Sequence, residues 1–170
     1  MLERSLKGNS GFLTAELLRS DDMLPSDERA AKGAVAVIEC LEDIPCNPCE
    51  TSCPQKCITI GSNINAIPQF NAESCTGCGI CVAKCPGLAI FTVDASIGGD
   101  QALVSFPYEY RPLPEKGESV ICLDRQGQHV CDGTVERVVE PKQYDKTVVV
   151  TVRVPLQLIH EVRCISLKEK

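Results

Sequence analysis

The residues of this chain that can do chemistry are its cysteines. Twelve of 170 residues are cysteine, and nine of those lie between Cys40 and Cys85. The run Cys75-Thr-Gly-Cys78-Gly-Ile-Cys81-Val-Ala-Lys-Cys85-Pro86 has the spacing C-x2-C-x2-C-x3-C-P. Two-residue steps let a loop wrap one iron–sulfur cubane, with three thiolates meeting three irons. Gly77 and Gly79 let the backbone approach and take positive φ, leaving amides free to point at cluster sulfurs. The fourth cysteine is expected to begin a helix after the loop and to point away, toward a second cluster. Pro86 cannot donate a backbone hydrogen bond and suits a first helical turn. A structural zinc knot would instead pair two C-x-x-C units around one ion.

The run is half of an internal repeat. A shift of 32 residues carries Cys46 onto Cys78, Cys49 onto Cys81, Cys53 onto Cys85, Pro54 onto Pro86 and Ile58 onto Ile90. Upstream it carries Ala34 onto Ala66, Val35 onto Ile67 and Ile38 onto Phe70. Four cysteines in one tight run, nearly duplicated and with Cys-Pro each time, favour iron–sulfur over zinc. The first half departs at one place: the position opposite Cys75 is Asp43.

At these residues the chain resembles the two-[4Fe-4S] bacterial-type ferredoxin family, over about sixty residues. By analogy with the crossed ligation of that family, Cys53 completes cluster 2, held by Cys75, Cys78 and Cys81. Cys85 joins Cys46 and Cys49 at cluster 1, which needs a fourth ligand. Cys40 ranks first, as a soft thiolate at the end of a strand. Asp43 fills the vacant position with a hard carboxylate, and Cys57 follows Cys53 by four residues, opposite the non-ligand Ala89. A three-iron cluster without a fourth ligand is the remaining arrangement. The segments Ile44–Glu50, Asn63–Pro68 and Cys85–Phe91 also resemble a narrower group, dicluster small subunits beside FAD-dependent oxidoreductases of amines and amino or imino acids. That resemblance implies FAD or FMN on partner subunits, often with a further [2Fe-2S] component.

The fold class implied is α+β. A ferredoxin-like, pseudo-twofold 2[4Fe-4S] domain over 34–99 is followed by a small antiparallel β domain over 100–170. Each cysteine half reads as strand, cysteine loop, Cys-Pro, short helix, strand, with strands over Val35–Ile38, Ile58–Ile60, Ile67–Phe70 and Ile90–Val93. In the tail, Ser119–Leu123, His129–Val139, Lys146–Val154 and Arg163–Leu167 are rich in Val, Ile and Thr and separated by turn signals. Pro107, Pro112 and Pro114 read as an extended linker. Residues 1–33 read as an arm, with a short helix at Leu13–Arg19. Such an arm either frays or lies on a partner, for which Leu13, Leu17 and Leu18 would form an apolar stripe. On that reading, removing residues 1–30 weakens complex assembly and leaves the clusters untouched.

The rest of the sequence narrows the function. The formal net charge of −6, without a basic stripe, argues against nucleic acid. No segment approaches the roughly 20 apolar residues of a membrane span. The absence of a signal-peptide pattern at Met1–Ser10 makes a cytoplasmic location, with reduced cysteines, the expectation. Cys122, Cys131 and Cys164 sit at no metal spacing and read as small apolar residues. His129 and His160 have no partner motif. With no catalytic motif in the tail, the expected role is not that of an enzyme by itself. The chain reads as the electron-transfer subunit of a multi-subunit flavin-dependent dehydrogenase, passing single electrons through two [4Fe-4S] clusters. Alternatives are a stand-alone soluble ferredoxin or a redox-sensing interaction module.

Overall fold

A computed structural model describes residues 12–41 and 43–168. Its frame is a seven-stranded antiparallel sheet. In chain order the helices and strands are α1 (Ala15–Ser20), α2 (Asp27–Ala31), β1 (Val35–Ile38), α3 (Pro48–Ser52), β2 (Ile58–Thr59), β3 (Gln69–Phe70), α4 (Ile80–Lys84), β4 (Ile90–Asp94), β5 (Gln101–Tyr108), β6 (Ser119–Leu123), β7 (His129–Val139), β8 (Val148–Pro155) and β9 (Cys164–Leu167). The large sheet runs β1-β4-β5-β8-β7-β6-β9, and β2 pairs with β3 in a separate two-stranded sheet. Val35 lies opposite Val93, and Ile58 opposite Phe70.

The strands follow from composition. β1 is Val-Ala-Val-Ile with all four residues buried. β8 carries five valines, all buried, between β5 and β7. A strand covered on both faces reads as a continuous apolar run, not as an alternation.

Strand β5 takes in Pro107, the first residue of the expected linker, while Pro112 and Pro114 lie between β5 and β6. β5 pairs with β8 from Gln101 to Tyr108 and with β4 at Leu103–Ser105. Pro107 lies beyond the stretch paired with β4, though still opposite Val149 of β8, and proline is tolerated where one flank of a strand is open. The sheet therefore runs on across residue 99, and residues from both sides of it share one core, Val35, Val37 and Val93 with Val104, Val150 and Val152.

The arm is also different from expectation. Helix α1 is capped by Thr14, whose hydroxyl accepts the Leu17 N–H at 3.1 Å. Ser26 caps α2 by accepting the Arg29 N–H at 3.1 Å. Leu18 is fully buried and Leu13 nearly so, while Leu17 is exposed. Burying a leucine contributes about 2 kcal/mol, and helices this short need such packing to exist. Most of the stripe assigned to a partner is spent inside the chain.

Three charges lock the tail to β1. Glu39 accepts from Arg125 Nη2 at 2.6 Å and from Arg163 Nε at 2.7 Å. All three side chains are almost wholly buried, and the Arg163 guanidinium lies 4.9 Å from the Phe91 ring centroid. Among the described residues, no helix is long and apolar enough to cross a membrane.

Candidate iron–sulfur sites

The backbone around the cysteines is set by proline and glycine. Pro48 occupies the first turn of α3, where its missing N–H costs nothing. Gly79, at φ 78°, starts α4. Gly77, at φ 64°, backs onto β1's approach so closely that a Cβ there would meet the Ala34 Cβ at 2.3 Å. Cys49 lies in α3 and Cys81 in α4, and Cys53 and Cys85 end those helices. The sequence reading placed each helix after Cys-Pro; the helices in fact precede it. A residue before proline is pushed out of the helical region, so each helix stops at its Cys-Pro cysteine and a turn follows.

The thiols fall into two groups. One cavity is lined by Cys53, Cys57, Cys75, Cys78 and Cys81, together with Gly77 and Gly79. The other is lined by Cys40, Cys46, Cys49 and Cys85, with Ile44, Ala66, Pro68 and Ile90. Cys53 belongs to the first half of the repeat but faces the second half's cavity, and Cys85 does the reverse. Asp43 is exposed and lines neither cavity. Cys57 lines the first cavity and not the second, its sulfur 3.4 Å from that of Cys53.

Among the described residues, no group of three or more His, Cys, Asp or Glu converges as a single metal ion requires. A zinc ion needs its sulfurs about 2.3 Å from one point. Thiols spread around the walls of a cavity suit a polynuclear group, whose ligands sit at separate corners. The donor set is all sulfur, the chemistry of iron–sulfur centres.

Burial raises Cys49 to about 11, with the neighbouring Cys85 adding to it. Burial likewise raises Cys81 to about 12, reinforced by Cys75 and Cys78. Such thiols are protonated at neutral pH, and binding iron would have to displace those protons. At Cys53 burial acts upward, but the amides of Cys57, Gln55 and Ile58 and the Cys57 thiol outweigh it, and the net shift is downward. Backbone N–H groups thus already face a sulfur that a cluster would need ionised. Cys85 has a related contact, accepting the Ala89 N–H at 3.4 Å.

Tyr144 is a site residue that sequence reasoning missed. It comes from the tail, in the 3-10 turn Lys142–Tyr144, and is buried. Burial raises its hydroxyl's pKa, and the thiols Cys78 and Cys81 push the same way. The neighbouring Asp145 pairs with Lys84 of α4. The tail thus packs against α4, with Tyr144 in one buried cluster with Cys81 and Val82. Of the other cysteines, Cys122 is buried in the main core and Cys131 and Cys164 are half-buried. His160 is buried and His129 exposed.

This arrangement defines an iron–sulfur electron-transfer region of ferredoxin type. Residues 44–89 match the 4Fe-4S dicluster domain family. The chain is similar to the ferredoxin-type protein NapF of Escherichia coli K12, at 37% identity over 51 residues, 29% of this chain and 31% of NapF. NapF of Escherichia coli O157:H7 matches to the same extent. It is also similar to the delta subunit of the NADH-dependent phenylglyoxylate dehydrogenase of Aromatoleum evansii, at 36% identity over 64 residues, 38% of this chain and 62% of that subunit. The chain thus spans about a third of the length of NapF and less than two thirds of the delta subunit. No solved structure matches it. Its [4Fe-4S] chemistry, its electron-transfer role and its likeness to an oxidoreductase subunit rest on these matches and on the cysteine geometry.

Proposed function

We propose that the chain is the electron-transfer subunit of a multi-subunit flavin-dependent dehydrogenase, with two [4Fe-4S] clusters in a pseudo-twofold ferredoxin-like unit. Cys40, Cys46, Cys49 and Cys85 would hold cluster 1; Cys53, Cys75, Cys78 and Cys81 would hold cluster 2. The observation that carries this reading is the exchange of Cys53 and Cys85 between the two cysteine-lined cavities. When bound, such clusters change oxidation state by one electron each. The chain's own part is to hold, insulate and connect them: helices α3 and α4 present the thiols, and Tyr144 keeps water from one side.

The partner reading draws on the surface at cluster 1. Ile44 lines that cavity and is 49% exposed; Ile64, whose carbonyl accepts the Cys46 N–H, is 47% exposed. Apolar side chains left in solvent beside a redox centre suit a docked protein. FAD or FMN, and a further [2Fe-2S] centre, would then belong to partner subunits. The match to an NADH-dependent dehydrogenase subunit favours a second version, in which the partner flavoprotein exchanges electrons with a pyridine nucleotide. Purification of the chain under native, anaerobic conditions tests both. A stoichiometric flavoprotein that reduces the clusters with its organic substrate supports the first version, and reduction by NADH supports the second. A monomer that carries no partner and is reduced equally by any donor returns the chain to the stand-alone ferredoxin reading.

A further inference from the structure

Arg29 is buried, with 7% of its surface exposed. It stands on α2, in the segment the sequence assigned to a partner-binding arm. Its guanidinium donates to four backbone carbonyls: Nε to Ala72 at 2.8 Å, Nη1 to Gly33 at 3.0 Å, and Nη2 to Ala34 at 3.3 Å and to Cys75. Among the described residues it meets these carbonyls and forms no ion pair. Ala34 is the residue against which Gly77 is pressed. One cation therefore ties together the start of β1 and the start of the Cys75–Cys81 loop, through the carbonyl of a cysteine assigned to cluster 2.

We propose that Arg29 is the positioning residue of cluster 2, fixing the Cys75 loop and raising the reduction potential of that cluster relative to cluster 1. The inference rests on the two-cluster reading above. Two physical effects combine. Without the guanidinium, four part-buried carbonyls lose their shared donor, and of these Ala72 keeps the Cys75 N–H at 3.2 Å, so the cost falls on the carbonyls of Gly33, Ala34 and Cys75. Reduction adds one electron, hence one negative charge, to a cluster. A positive charge buried within one residue of a ligand thiolate is poorly screened and favours the reduced form. Lysine would keep the charge but cannot reproduce a planar fork reaching four oxygens.

The test uses the full-length, cluster-loaded chain and its Arg29→Gln and Arg29→Lys variants, followed by iron and sulfide content and EPR-monitored redox titration. In Arg29→Gln, one of the two [4Fe-4S] signals should move to lower potential, or half the iron and sulfide should be lost, with the other signal unchanged. Two unshifted potentials at full iron content, or equal shifts in both, overturn the inference. If Arg29→Gln does not fold, Arg29→Lys decides. Its two potentials should stay near wild type, while half of its iron is lost to a chelator several-fold faster than the rest. Uniform loss at the wild-type rate contradicts the inference. A wild-type chain that binds no iron and sulfide fails the underlying two-cluster reading instead, and the two failures are told apart at the first measurement.

Discussion

Cys53 and Cys85 leave their helices with almost the same backbone angles, φ −75° and ψ 111° at one and φ −76° and ψ 111° at the other. The likeness continues three residues on, where Lys56 and Leu88 take φ 51° and 52°. Both donate their N–H to the carbonyl of the cysteine, each at 3.2 Å. These paired geometries recur at the 32-residue offset of the internal repeat. They also explain how each Cys-Pro can deliver its thiol to the opposite cavity.

The proposed fourth ligand of cluster 1 is Cys40. Cys40 lines that cavity and Cys57 lines the other. Cys40→Ala should halve the iron and sulfide or convert one signal to a three-iron type, leaving the second cluster intact. Cys57→Ala should retain both clusters. EPR of the reduced and oxidised variants checks this; loss of a cluster in Cys57→Ala, with Cys40→Ala silent, would reverse the assignment.

Gly77 has no room for a side chain. An added Cβ meets the Ala34 Cβ at 2.3 Å at a backbone φ of +64°. Gly77→Ala should lose about 2 kcal/mol or more of stability, from strain and overlap together, and release cluster 2 iron first. Gly98, at φ +79° with nothing within 4 Å of the added atom, is the control. Gly98→Ala should cost about 1 kcal/mol and leave iron content unchanged. Denaturant titration and iron analysis measure both.

His160 gives the fold a pH dependence near neutrality. Burial lowers its pKa from 6.5 to about 4, with Arg163 and Arg19 adding to the shift and Asp27 opposing it. The unfolded chain therefore binds a proton below pH 6.5 that the folded chain refuses until about 4. Stability contributed by neutral His160 is whole above 6.5 and falls as the pH drops toward 4. Denaturant midpoints between pH 7.5 and 5.5 should decline in wild type and be flatter in His160→Gln. Equal slopes would contradict this.

Tyr144 should slow access to cluster 2. Tyr144→Ala opens the Cys78–Cys81 side and should speed oxygen damage of one cluster several-fold, whereas Tyr144→Phe keeps the ring and should behave like wild type. The decay of visible cluster absorbance in air distinguishes them.

What could be read from the sequence was local and periodic. The offset of 32, the two Cys-Pro steps and strands such as Val35–Ile38 and Ser119–Leu123 follow from spacing and residue type over short stretches. The side of Cys-Pro on which each helix lies is not legible from the dipeptide, because proline suits a first helical turn as well as it ends a helix at the residue before it. β5 was hidden by Pro107, which marks an open strand flank as readily as a linker. Arg29 reaches carbonyls 43 and 46 residues away, and Glu39 meets arginines 86 and 124 residues away. No pattern along the chain announces such contacts, and Tyr144 was missed for the same reason.

The central claim is that two cubanes sit in the two cysteine-lined cavities. Anaerobic iron and acid-labile sulfide analysis of the reconstituted full-length chain, joined to EPR of the reduced protein, tests it most directly. The account predicts about eight iron and eight sulfide per chain, from two four-by-four clusters, and the spin coupling of two nearby reduced centres. About one zinc per chain without sulfide would contradict it.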